Sequence, residues 1–183
     1  MPSLRSLPQG LTNQEPAALA RNFFAPETEG VLAGVTRLAS QYPFPHSVFG
    51  GSETEEYVRG LANRARHAGE GWYGLGSRPE TLVAAAYLSI YGFGRGEGHT
   101  LWKVRHPLAD GSEGGRPLAE LFEELVASVV RVRPGTAKFV VFLGEHEQGA
   151  IRGAQEAGFR REACFPDYYR LGEKCFVYGR TAR

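Results

Sequence analysis

The 183-residue chain is short of net charge, of cysteine and of long apolar runs. Twenty-one basic residues stand against 20 acidic ones, a formal balance of +1, and the two signs are well mixed. That leaves no basic stripe for a nucleic acid or an anionic membrane surface. The two cysteines, Cys164 and Cys175, suit a reducing compartment. A hairpin turning at Gly172-Glu173 pairs residues whose numbers sum to about 345, which keeps the two cysteines apart and argues against a disulfide. No run reaches membrane-spanning length, and the N-terminus lacks a basic-then-apolar signal pattern. The expected location is cytoplasmic. No His/Cys spacing marks a metal site, and neither cysteine has a partnered histidine that would make it a nucleophile. Internal repeats and low-complexity segments are absent too.

What is present reads as one soluble domain, residues 1–183, with 42% hydrophobic and 22% charged residues. Met1 to Leu7 is a candidate short strand. Glu15-Pro16 opens a helix running to Phe24, and Val31, Leu32, Val35, Leu38 and Ala39 predict a second. Ser52-Glu-Thr-Glu55 reads as a capping box before a third helical face of Val58, Leu61, Ala62 and Ala65. From Glu70 the period changes. Gly71–Leu75, Thr81–Tyr91 and His99–His106 predict three antiparallel strands separated by turn-rich segments. Leu118, Leu121, Phe122, Leu125 and Val129 then predict a crossover helix leading to a strand at Phe139–Leu143.

The last forty residues organise the rest. The apolar run Phe139–Leu143 predicts a strand covered on both faces. Ala150, Ile151 and Ala154 form one stripe of a short helix, and Gly158 sits where a helix takes a left-handed stop. Arg160–Tyr169 and Lys174–Arg180 predict a closing hairpin. Strand, helix, Ala157-Gly158-Phe159, then Asp167-Tyr-Tyr-Arg-Leu-Gly172 and a last strand resembles the C-terminal half of the GNAT superfamily of acyl-CoA N-acyltransferases. The element order extends the resemblance from about the third helix to Arg180. It implies an α/β (α+β) fold with a mixed, mainly antiparallel sheet, a central splayed parallel pair, flanking helices and additional N-terminal helices.

The resemblance also implies a site. The family's diphosphate-binding turn falls on Pro107–Pro117, where Gly111, Gly114 and Gly115 supply bare backbone and Arg116 a charge. Asp110 and Glu113 carry the wrong sign for that task, and the turn's leading Gln or Arg is missing. The main chain of Lys103, Val104 and Arg105 would carry the pantetheine arm of acetyl-CoA or coenzyme A like an added strand. The family's tyrosine acid falls on Ala154 and its asparagine on Glu147. Tyr168 or Tyr169 of the hairpin is the substitute acid. Glu145 and His146, at the carboxyl end of the fifth predicted strand, are candidate bases for the amine. Trp72, Tyr73, Tyr87, Tyr91 and Trp102 are either core or the wall of an acceptor cleft. Tyr42-Pro-Phe-Pro45 and the helices before it are a cleft wall or a homodimer surface.

The implied function is acyl transfer, with acetyl-CoA as donor, to a primary amine of a small molecule or peptide. The alternative is a catalytically silent GNAT-like binding domain, favoured by the acidic turn, Ala154 and Glu147.

Overall fold

Leu118, Leu121, Phe122, Leu125 and Val129 recur at helical spacing, and all five are buried along one face of a seventeen-residue helix. The computed structural model that shows this describes residues 21–41, 51–93, 98–111, 115–169 and 171–183. Its elements run β1 (Asn22–Phe24), α1 (Val31–Gln41), α2 (Gly51–Ala62), β2 (Gly71–Gly76), β3 (Leu82–Phe93), β4 (His99–Ala109), α3 (Arg116–Val132), β5 (Thr136–Gly144), α4 (Gln148–Glu156), β6 (Arg160–Pro166) and β7 (Lys174–Ala182). The strands form one sheet in the order β1-β2-β3-β4-β5-β7-β6. β4 and β5 run parallel, joined through α3, and the other described pairs are antiparallel. The mixed sheet with a central parallel pair is the fold class the sequence implied.

The sheet is covered from both sides by different helices. α3 and α4 bury Leu88, Trp102, Phe139, Val141, Leu143 and Tyr178 in the larger core. α1 and α2 bury Trp72, Leu82, Ala85, Tyr87 and Leu108 on the opposite face. Full burial of side chains this large is worth about 1.5–3 kcal/mol each against exposure. Four of the five meander aromatics are therefore core, and Tyr91 alone is exposed, at 58%. No described helix is long and apolar enough to cross a membrane.

Several expectations change. Asn22–Phe24, read as the end of a helix, is a strand on the edge of β2, with Phe23 opposite Leu75. Phe23 stacks on Tyr73 at 5.4 Å, whereas Phe24 packs against the α1–α2 core. Neighbouring side chains thus point to opposite faces, a strand's period rather than a helix's. The earlier part of that helix, the strand at Met1–Leu7 and Tyr42–Pro45 lie outside the described residues. The closing hairpin also turns earlier than expected. Cys164 faces Phe176 and Phe165 faces Cys175, because a seven-residue turn from Asp167 to Glu173 joins the strands. Asp167 (φ 55°) accepts the Gly172 N–H on its side chain and donates its own N–H to the Glu173 carbonyl, which closes that turn. The cysteines are one position out of register, so they point to opposite faces: Cys164 is exposed and Cys175 buried.

α2 begins at Gly51 and ends at Ala62, short of Ala65. Glu55, expected to close a capping box, instead accepts from Arg59 one turn on at 2.9 Å. Gly158 follows α4 with φ 76°, the left-handed stop its position predicted.

Candidate active site

The site begins with one surplus residue. From the pair Ala85–Leu108 to the pair Tyr87–Arg105, β3 advances by two residues and β4 by three. β4 therefore bulges at His106-Pro107. His106 holds φ 49°, a left-handed conformation rare for a side chain of this size, and Pro107 has no N–H to give a ladder. A bulge bends its strand and sharpens the local twist. Pairing between β4 and β5 accordingly runs from His99–Thr136 to Val104–Val141 and stops there. Beyond it, Arg105, Leu108 and Ala109 stay paired to β3 and Phe142–Gly144 to β7, so the two parallel strands diverge into a notch.

On the α3–α4 side the notch opens into a cavity of about 260 Å³, lined by Pro107, Ala109, Gly111, Leu118, His146 and Gly149 among others. The positive end of α3 borders it, since the helix starts at Arg116 without a side-chain cap on its free N–H groups. Gly111 faces open space: a Cβ there would meet nothing within 4 Å. Gly115 is committed differently. A Cβ at that position would lie 2.7 Å from the Gly149 carbonyl and 3.0 Å from the Gly153 nitrogen, so its bareness serves the contact between α3 and α4. Gly114 lies outside the described residues. Arg116 is an exposed group paired with Glu120 at 3.3 Å, a carboxylate that Arg21 also binds at 2.9 Å. Asp110 lines the cavity as well.

Of the three residues assigned to the pantetheine arm, Lys103 and Val104 have β5 partners in Val140 and Val141, whereas Arg105 is the first residue past the ladder. The stretch of β4 past the β5 ladder is therefore Arg105–Ala109. An extended amide chain can add to such a stretch. That stretch and the cavity beside it fit a pantetheine arm. At the diphosphate end the described residues offer Gly111 and the α3 terminus.

On the other face, the residue after the last β4–β5 pair is Phe142. Its ring lies 5.9 Å from Tyr168, and Tyr168 is set edge-on to Tyr169 at 4.6 Å. The hairpin turn thus brings both candidate acids to the mouth of the notch. Tyr169 is half-buried, and burial, with the neighbouring Cys175 and Tyr168, pushes its phenol well above the ordinary range. It keeps its proton at neutral pH and can donate a hydrogen bond.

The two candidate bases part company. Glu145 turns to the β7 edge, where its backbone N–H donates to the Lys174 carbonyl at 2.9 Å and its carboxylate accepts from the Lys174 N–H at 3.4 Å. His146 lines the cavity, and its Nδ1 is hydrogen-bonded to the Glu173 carboxylate from the hairpin turn. Gly144 makes room for that pair: a Cβ there would fall 2.8 Å from the imidazole and 3.0 Å from Glu173 Oε1. A carboxylate on one ring nitrogen fixes the orientation and tautomer of the other. Glu173 was not foreseen, because nothing local links positions 27 residues apart. Glu147, expected only as a lost asparagine, is 6% exposed, lines the cavity and accepts the Gly144 N–H at 2.6 Å. Burial raises its carboxyl pKa despite that bond. His99 lies at the far end of β4, and His106 turns away to Tyr57, whose hydroxyl is 2.8 Å from its Nε2.

Comparison with solved structures decides the fold. An acetyltransferase from Salmonella typhimurium that modifies the N-terminal serine of a ribosomal subunit protein superposes with a TM-score of 0.63, at 14% identity, over 92% of this chain and 98% of its own. Arabidopsis thaliana NAA60, in complex with acetyl-CoA, gives 0.62 at 16% identity over 88% and 98%. A protein from Desulfovibrio desulfuricans, described as a GNAT-family acetyltransferase, gives 0.60 at 16% identity over 88% and 97%. The chain has the GNAT fold. No protein-family model and no curated protein sequence matches it. In this GNAT fold the splayed pair, the cavity beside α3 and the hairpin aromatics all meet at the carboxyl ends of β4 and β5.

Proposed function

We propose that the protein is an acyl-CoA-dependent N-acyltransferase, with acetyl-CoA as donor and a primary amine on a small molecule or peptide as acceptor. The observation that carries this reading is the notch itself: β4 leaves β5 after Val104, with a cavity on one face and polar, ionisable side chains on the other. When bound, the donor supplies an activated thioester. The protein's part is to hold that thioester along Arg105–Ala109, with main-chain N–H groups at the edge polarising the acyl carbonyl. His146, held by Glu173, takes the proton of the incoming ammonium. The amine then attacks directly in a ternary complex, without an acyl-enzyme. Tyr169 donates a hydrogen bond to the departing sulfur, a thiolate tolerable near neutral pH. Holding both reactants in one geometry supplies much of the acceleration.

Thermal melting with millimolar acetyl-CoA tests the donor. A ligand at a hundred times its Kd stabilises the native state by about 2.7 kcal/mol, so the melting temperature should rise clearly. Gly111→Glu should melt normally without ligand, because the new side chain has free space, yet lose most of the shift through repulsion of the diphosphate. An undiminished shift in that variant would move the diphosphate elsewhere. The alternative, a catalytically silent binding domain, draws on Gly115 being packed against α4 and on Asp110 in the cavity. A wild-type protein that acetyl-CoA does not shift would decide for it.

A further inference from the structure

Three of the 21 basic residues are lysines: Lys103, Lys138 and Lys174. Lys138 is ion-paired with Glu162 at 2.7 Å, and Lys174 is exposed on β7. Lys103 stands apart from both. Its backbone still belongs to the β4–β5 ladder, opposite Val140, but its side chain reaches toward the opening. Nζ lies 4.1 Å from the centre of the Phe142 ring, the first β5 residue past the last pair, and 5.4 Å from that of Tyr91. Its neighbour on the same strand face is Arg105, and no carboxylate among the described residues forms an ion pair with it. The chain therefore places an amine of its own at the point where the two strands part, on the face opposite the donor cavity.

We propose that Lys103 is an internal acceptor, acylated by the thioester bound in the notch when no external amine occupies the site. The inference rests on the acyltransferase reading above. In the step, the ε-amine lone pair forms the new N–C bond to the acyl carbon. The C–S bond breaks, and sulfur leaves with its electron pair as the thiolate of coenzyme A. The proton shed by nitrogen passes to that thiolate or to water, leaving an amide and a free thiol. Burial, with Arg105 beside it, lowers the Lys103 pKa, so more of its amine is in the nucleophilic neutral form than is usual for lysine. Acylation removes a cation from the acceptor mouth and leaves a neutral amide over Phe142.

Two measurements test this. The first needs no cofactor: trace labelling of the folded protein with acetic anhydride across pH, read lysine by lysine by mass spectrometry. Lys103 should label with a lower pH midpoint than Lys138 and Lys174, and faster than either near neutral pH. A midpoint equal to or above theirs overturns the proposal. The second is incubation with acetyl-CoA, with the melting shift read in the same samples. One acetyl group should appear on Lys103, persist in a Lys138→Arg/Lys174→Arg double variant and be absent from Lys103→Arg. A melting shift without an adduct on Lys103, or with adducts spread equally over the three lysines, defeats self-acylation and leaves the acyltransferase reading standing. No melting shift at all brings down both.

Discussion

One face of the sheet has two unlike halves. Over β2, β3 and β4 it is sealed by α1 and α2, and Trp72, Leu82, Tyr87 and Leu108 beneath them are buried. Before the bulge on β4, and across onto β5, the same face carries half-buried Lys103 and Phe142, then Phe165 and Tyr168 at 43% and 49% exposure. The boundary between the halves coincides with the bulge at His106. The sealed half is anchored from inside: Trp72 Nε1 donates to the Val58 carbonyl at 3.0 Å and the Tyr87 hydroxyl to the Leu61 carbonyl at 2.9 Å, so two strand aromatics bind α2 by its main chain. The open half has aromatics of the same kind, arranged as a surface that something else can cover. Identical residue types are thus buried on one side of the bulge and left partly exposed on the other.

The largest contrast should come from deleting one aromatic on each side. Trp72→Ala removes a fully buried ring and leaves the Val58 carbonyl without its donor, at a cost of about 3–5 kcal/mol. Phe142→Ala, already half in water, should cost about 1–2 kcal/mol, yet lose acyl transfer because the ring between Lys103 and Tyr168 is gone. Urea unfolding of both variants checks the first half of this statement, and turnover with a generic amine the second. A Phe142 variant as unstable as the Trp72 one would erase the distinction between the halves.

The next effect is confined to the cavity behind the notch. His146→Ala should lower kcat by roughly 10²–10⁴-fold if the imidazole is the base, and Glu173→Gln by less, since the ring survives but loses its anchor. The loss in the Glu173 variant should fall on kcat with KM unchanged, because the contact orients the imidazole for proton transfer and does not hold the acceptor. A Glu173→Gln enzyme with an unchanged kcat would make the contact structural only.

The sequence reveals the packed cores more readily than the notch, for a physical reason. Burial between helix and strand demands periodicity, so the stripe from Leu118 to Val129, the strand at Phe139–Leu143 and the stop at Gly158 are local patterns. The notch depends on a single surplus residue in β4, and neither His106 nor Pro107 signals a bulge until the β3 register is known. The His146–Glu173 pair is equally non-local. Gly115 illustrates the limit of composition, since a glycine for phosphate approach and a glycine for helix contact look alike along the chain. Asn22–Phe24 was lost because three residues ending before a proline fit a helix terminus as well as an edge strand, and the stack of Phe23 on Tyr73 decides between them.

The smallest expected effect is a matched pair of carboxylates, one beside the sealed half and one in the cavity behind the notch. Glu70, between α2 and β2, is partly buried, which alone would raise its pKa, but it accepts N–H bonds from Arg66, His67 and Ile90, and these together lower it. A lowered folded pKa gives stability that is present above the unfolded value near 4.5 and is lost as pH falls through the folded one. Glu147 has the opposite sign. Burial raises its pKa, so its ionisation works against folding at neutral pH, and that penalty disappears below the unfolded value, also near 4.5. Glu70→Gln should therefore cost about 1 kcal/mol at pH 7, the scale of a charge-assisted bond near the surface, and little at low pH. Glu147→Gln, whose amide oxygen can still accept the Gly144 N–H, should stabilise at pH 7 and be neutral at low pH. Urea midpoints of wild type and both variants, at pH 7 and at pH 4, give the comparison. Shifts of the same sign in the two variants would mean that the carboxylate lining the open cavity is no more strained than the one tying down the sealed half, and the pH argument for a reactive notch would fail.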